Sequence, residues 1–193
     1  MWYHLTLPKL YLENHSLIHI PGGLLYYSDM PKSIEMLYIP ALIFKNEILA
    51  KFIHFSFGIG CLIAIFKLSR LFLNNKLSLL ACVIFYSNLV IGWESITSYI
   101  DLGWAFFEIT AFYYFILWSK KSEFKYLIFS AILVGLSISS KIVAFNSLLI
   151  LSILTAYVSQ INKNKIKLIF KHLLSFILVS VLIPLPWFIL SYI

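Results

Sequence analysis

The stretch 48–68, ILAKFIHFSFGIGCLIAIFKL, decides the fold class. An α-helix needs about 20 mostly apolar residues to cross a ~30 Å hydrocarbon layer, and this run supplies them with few ionisable groups. Similar apolar runs follow at about 77–93, 99–118, 125–140, 142–159 and 172–190, the last with Pro184 and Pro186 near its end. The whole chain agrees. Of its 193 residues 61% are hydrophobic, 18% aromatic and only 12% charged. Mean hydropathy is +0.92. A soluble domain carries roughly twice that charged fraction, at about 25%. Composition therefore excludes an ordinary water-soluble enzyme, a disordered chain and a nucleic-acid-binding domain. The expected fold is all-α: a polytopic membrane bundle of about six transmembrane helices over 48–193.

Residues 1–47 read differently. They hold Pro8, Pro21, Pro31 and Pro40, the pair Gly22-Gly23 and several charges. We read them as an extracytoplasmic loop carrying short amphipathic helices at about 9–17 and 32–42. The opening MWYHLTLPKLYLENH has no basic segment followed by an apolar core, so it does not read as a cleavable signal peptide. Cys61 and Cys82 lie in apolar runs without metal-ligand spacing, and are expected to be buried, inert thiols.

The net charge of +7 is sorted along the chain. Lys67, Arg70 and Lys76 fall between the first two spans. Lys120, Lys121 and Lys125 fall between the third and fourth. Lys163, Lys165, Lys167 and Lys171 fall at the last connection. One acid, Glu123, accompanies these ten bases. By the positive-inside rule these loops face the cytoplasm. The opposite side carries Glu13, Asp29, Glu35, Glu47, Glu94 and Asp101. The basic balance thus reads as orientation and not as affinity for nucleic acid.

The acids mark where chemistry could sit. In 92–108, GWESITSYIDLGWAFFE, Glu94 lies just past the end of one span and Asp101 opens the next. An acid in a first helical turn can be a plain dipole partner. It can equally stand at the mouth of a membrane-embedded cavity. Glu108, seven residues on, shares that helix face, and an ionisable group inside a span is a functional candidate. In 135–145, GLSISSKIVAF, Lys141 is a lone base between two apolar spans. It reads either as a snorkelling lysine or as a point charge for a phosphate. Gly135, Ser137, Ser139 and Ser140 before it allow close helix packing. Glu35 follows Pro31 at the start of a short helix. His4, His15 and His19 do not have metal-ligand spacing on one helix.

Taken in order, WYHLTLPKLYLE (2–13), DMPKSIEMLY (29–38), ESITSYIDLGWAFFE (94–108), GLSISSKIVAF (135–145) and PLPWFILSYI (184–193) resemble the GT-C type membrane glycosyltransferases. The likeness is to the RgtA/B/C/D-like branch, related to protein O-mannosyltransferases and to the aminoarabinose transferases of lipid A. The resemblance implies transfer of a sugar from a polyprenyl-phosphate donor to a lipid, glycan or protein acceptor at the extracytoplasmic face of a membrane, here a bacterial inner membrane. It implies Asp101 and Glu35 as site carboxylates and Lys141 as a partner for the carrier phosphate. His4 and Glu94 are further substrate-binding candidates, and a divalent metal ion is a conceivable cofactor. The family's main base is expected in an outer loop shortly before the YHL phrase, after one more helix. The chain opens at Met1-Trp2-Tyr3-His4, so the expectation is a fragment: the core of a larger transferase, inactive alone if that acid is required.

Two competing readings stay open on the residues alone. One is a transporter or flippase fragment with Glu108 as an intramembrane relay. The other is a non-catalytic membrane subunit whose acids are merely solvated, in which Glu35, Asp101 and Lys141 would not converge.

Overall fold

Asn46, Asn74 and Asn88 each start a helix, because a side-chain oxygen accepts an otherwise orphaned backbone N–H of the first turn. The acceptances come from Leu49 at 3.1 Å, Leu77 at 3.0 Å and Val90 at 2.9 Å. The computed structural model describes residues 3–20, 25–162 and 165–191. Pro21, the Gly22-Gly23 pair and Lys163 lie outside the described residues. Four short helices form the N-terminal segment: α1 Thr6–Asn14, α2 Leu25–Ser28, α3 Ser33–Met36 and α4 Ile39–Ile43. The bundle follows with α5 Glu47–Ser69, α6 Asn75–Tyr86, α7 Leu89–Glu94, α8 Asp101–Lys121, α9 Phe124–Ser140, α10 Phe145–Ile161, α11 Ile166–Leu182 and α12 Leu185–Leu190. The described residues contain no strand.

This is the expected all-α membrane bundle. Among the described residues, three helical stretches are long and apolar enough to cross a membrane: Glu47–Ser69, Asp101–Lys121 and Ile142–Ile161. Helices α9 and α11 have 17 residues each, near the lower end of a bilayer-spanning length. The stretch expected as one span over 77–93 comprises two helices, because Asn88 caps a new helix after α6 has run only 12 residues. The last stretch starts earlier than position 172, at Ile166, and is interrupted at Pro184, whose ring nitrogen cannot continue the helical ladder. Side chains such as Phe52, Ile63, Leu79, Val83 and Ile153 are exposed on the outer surface, as lipid contact requires. Cys61 is buried, whereas Cys82 is only half-buried; both are free thiols.

Neighbouring helices pack in the order α6, α5, α8, α9, α11, α10. Ala111, Phe115, Trp118, Leu127, Val134, Ile138 and Phe176 form the main core between α8, α9 and α11. Close approach depends on small residues. A Cβ on Gly135 would stand 2.9 Å from the Ser180 carbonyl oxygen of α11. Ser130 and Ser180 donate across helices to the carbonyls of Ala111 (2.9 Å) and Ala131 (3.0 Å). These contacts bear out the close packing expected of the Gly-Ser string in α9.

A second core, Ile34, Tyr38, Ala41, Ala50 and Ile100, clamps the N-terminal segment onto one end of α5 and α8. A Cβ on Gly103 would meet Ile34 Cδ1 at 2.4 Å, so α8 presses its first turn against α3. At the same end Trp187 donates to Ser33 Oγ at 2.8 Å, tying α12 to α3. His54 of α5 then fixes the loop between α7 and α8. Its Nδ1–H donates to the carbonyls of Glu94 (3.0 Å) and Thr97 (3.1 Å). Its Nε2 accepts the Leu102 N–H at 3.2 Å, one of the orphaned donors at the start of α8. His54→Ala strands the Thr97 carbonyl and the Leu102 N–H in a buried site, while the Glu94 carbonyl keeps the Thr97 N–H and hydroxyl. At about 1–3 kcal/mol per unmet group, the thermal midpoint of the detergent-solubilised protein should fall sharply. An unchanged midpoint would show that water replaces the ring.

Candidate active site

Glu35 stands in the first turn of α3 and is buried, although it is an acid. Its Oε1 accepts from His4 Nδ1 at 2.9 Å, and both side chains are almost fully enclosed. Its Oε2 is buried with no hydrogen-bond partner. Burying a carboxylate oxygen without a donor is costly.

Across from Glu35, α9 ends at Ser140 and the chain reverses through Lys141. The Lys141 ammonium donates to Asp101 Oδ1 at 2.6 Å, a short charge-assisted bond between two half-buried side chains. It also lies 4.9 Å from the centre of the Trp104 ring. Glu35 and Lys141 line one cavity of about 230 Å³, walled further by Tyr3, Tyr27, Ile100 and Val143. The rings of Tyr3 and Tyr27 stack at 3.9 Å, and His4 meets Tyr99 edge-on at 5.1 Å.

The electrostatics of this end are set by low exposure and clustered acids. Burial first, then the Glu35 charge, pushes the Tyr3 hydroxyl up to about 12. The same two causes, with Asp29, raise Tyr11 to about 12. Burial and then Glu35, Glu94 and Asp101 raise Tyr38 further. These phenols are therefore fixed as neutral donors, and the Tyr38 hydroxyl donates to the Tyr99 carbonyl. Lys32 is buried below Glu35 and lowered by that burial, with Glu35 and Asp29 opposing. Its ammonium donates to the Ser28 carbonyl and lies 5.5 Å from the rings of Tyr11 and Trp187.

Glu94 is buried beside this cluster without lining the cavity. Its Oε2 has no partner. Burial, reinforced by Asp101 and opposed by Lys141, pushes its carboxyl up to about 7. An acid raised in the folded state stays protonated there while the unfolded chain ionises. Folding stability therefore declines as pH rises from the unfolded value near 4.5 through about 7. Thermal melts should show this decline in the wild type and lose that part of it in Glu94→Gln. Equal slopes in both would remove Glu94 as its cause.

The structure thus brings together Glu35, His4, Asp101 and Lys141, with Glu94 adjacent. Glu108 has a different setting. Trp104 Nε1 (3.1 Å) and Ser137 Oγ (2.6 Å) donate to its Oε1, and Ser147 Oγ (2.5 Å) donates to Oε2. Three donors from α8, α9 and α10 make it a knot in the bundle core. His15 and His19 stay apart from the site, and His19 pairs with Asp29 at 2.6 Å on the surface. Among the described residues no three His, Cys, Asp or Glu side chains gather into a metal-ligating group. Sequence reasoning missed His54 and Lys32. Both were detectable as polar groups in otherwise apolar or proline-bounded runs, with nothing to indicate their partners.

An all-α membrane bundle with a buried carboxylate and a lysine–aspartate pair around one terminal cavity defines a membrane protein with a polar site at one end. The sequence model of the dolichyl-phosphate-mannose-protein mannosyltransferase family matches residues 36–188. The chain belongs to that family and is a GT-C type membrane glycosyltransferase, as its motifs suggested. The matched span contains Glu94, Asp101 and Lys141 and begins one residue after Glu35. No curated protein and no solved structure matches the chain.

Proposed function

We propose that the chain transfers a sugar from a polyprenyl-phosphate donor to an acceptor hydroxyl at the end of the bundle that holds Glu35 and Lys141. The observation that carries this reading is one cavity lined by both Glu35, whose Oε2 has no hydrogen-bond partner, and Lys141. Glu35 takes the acceptor's proton as the new bond to the anomeric carbon forms. The bond from that carbon to the carrier phosphate breaks, and Lys141 stabilises the departing phosphate oxygen. His4 orients Glu35 through Nδ1–H. Asp101 holds Lys141 over Trp104. Tyr3 and Tyr27 offer an aromatic wall to the sugar, and Tyr3 a neutral hydroxyl.

This end of the bundle is the extracytoplasmic one under the positive-inside rule, in a bacterial inner membrane. The non-catalytic reading required Glu35, Asp101 and Lys141 to lie apart. The transporter reading required charged or helix-breaking residues at mid-membrane in several spans, of which the described residues show the break at Asn88 and a Glu108 held by three donors. Their geometry favours neither. Membranes containing the protein and given a polyprenyl-phosphate sugar should release polyprenyl phosphate in step with glycosylated acceptor. Release without any transfer, or no release across hexosyl and pentosyl donors, would count against the proposal.

A further inference from the structure

The end of the bundle remote from Glu35 holds a second cavity, of about 350 Å³, between the C-terminal ends of α8 and α10 and the N-terminal ends of α9 and α11. Trp118 and Phe124 give it an aromatic wall, and Ser122, Asn162, Lys171 and His172 give it polar groups. His172 is buried, stacked on Phe124 at 5.8 Å and held by Ser159 Oγ at 3.1 Å through Nδ1. The Lys171 ammonium lies 5.3 Å from the Phe124 ring and pairs with no carboxylate among the described residues. The one acid nearby, Glu123, is taken by Lys125 at 2.6 Å. Lys120, Lys121, Lys165 and Lys167 add charge of one sign to the same end.

We propose that this cavity binds the phosphodiester headgroup of an anionic phospholipid. An uncompensated lysine beside neutral donors is suited to one negative phosphate oxygen pair. A basic pocket between helix ends at the membrane boundary has the form that acidic headgroups fill. The surroundings favour a lipid over free phosphate. Leu168 in the lining is exposed, as are Ile161 next to Asn162 and Phe170 and Leu174 on α11, apolar surface on the same helices along which acyl chains can lie. The site is separate from the transfer chemistry, so it stands or falls independently of that chemistry.

The test is lipid binding by native mass spectrometry, with the intact chain exchanged from detergent into phosphatidylglycerol or phosphatidylcholine. Phosphatidylglycerol should remain bound at activation energies that strip phosphatidylcholine. Lys171→Gln is compared with Lys76→Gln, which removes one equal charge at the same end but outside the cavity. Both lysines are exposed, so both variants should keep their helix content by circular dichroism. Loss of surface attraction alone weakens binding about fivefold in each. Lys171→Gln should exceed that, to the order of tens of fold, and adding Asn162→Leu should weaken binding further. Equal weakening in both single variants would reduce the site to surface attraction and overturn the proposal. Equal retention of the two lipids would also overturn it. So would full displacement of phosphatidylglycerol by millimolar glycerol 3-phosphate, which would identify a free phosphate ester as the ligand.

Discussion

Glu35→Gln should lower the rate of sugar transfer by about 10²–10⁴-fold, the usual worth of a positioned general base, with the thermal midpoint nearly unchanged. The substitution is nearly isosteric. The glutamine carbonyl oxygen can still accept the His4 Nδ1–H that Glu35 Oε1 accepts at 2.9 Å, so α1 and α3 stay joined. What changes is the buried oxygen that has no partner, on a side chain that lines the cavity. A carboxylate oxygen there can receive a proton from an acceptor hydroxyl, and an amide cannot. Initial rates at saturating donor separate this from a binding defect, because a lost base lowers kcat and leaves donor KM nearly fixed. Glu94→Gln serves as the control. It removes a neighbouring buried acid that does not line the cavity, and its rate should stay within about threefold. A Glu35→Gln rate equal to the wild type would remove Glu35 from the reaction.

The fold class was legible because a membrane imposes one strong rule: backbone polar groups must be satisfied within the segment, so long apolar runs become helices. The site was legible in part for the same reason. In a chain this apolar, each carboxylate or lysine off the basic loops stands out, and Glu35, Asp101 and Lys141 were found in that way. Their convergence was not legible. Lys141 meets Asp101 across 40 positions and His4 meets Glu35 across 31. No local pattern encodes such distances; they follow from α8 and α9 packing antiparallel and from Gly103 admitting Ile34. Periodicity placed Asp101 and Glu108 on one helix face but could not say what that face met. Ser137 and Ser147, supplied by two other helices, separate a Glu108 with both oxygens bonded from a Glu35 with one oxygen unpartnered. The helix break at Asn88 was hidden as well, since asparagine inside an apolar run reads as a tolerated polar residue until its side chain is seen to cap Val90.

Lys141→Gln should lower kcat by about 10²–10³-fold, the loss typical of one preorganised group facing a developing oxyanion. Asp101→Asn should cost less, because Asp101 acts through Lys141. Its Oδ1 is occupied by the ammonium at 2.6 Å, so it is poorly placed to take a proton itself. Without that charge the lysine side chain loses its anchor and samples positions away from the cavity, weakening donor binding and transition-state stabilisation together. The double variant then decides between the two roles open to Asp101. If it only positions Lys141, removing it after the lysine is gone costs nothing more, and the double variant matches Lys141→Gln. If Asp101 contacts reacting atoms as a base, the two losses multiply, and Glu35 would have to yield that role. The orphaned oxygen on Glu35, against the paired one on Asp101, predicts the first outcome.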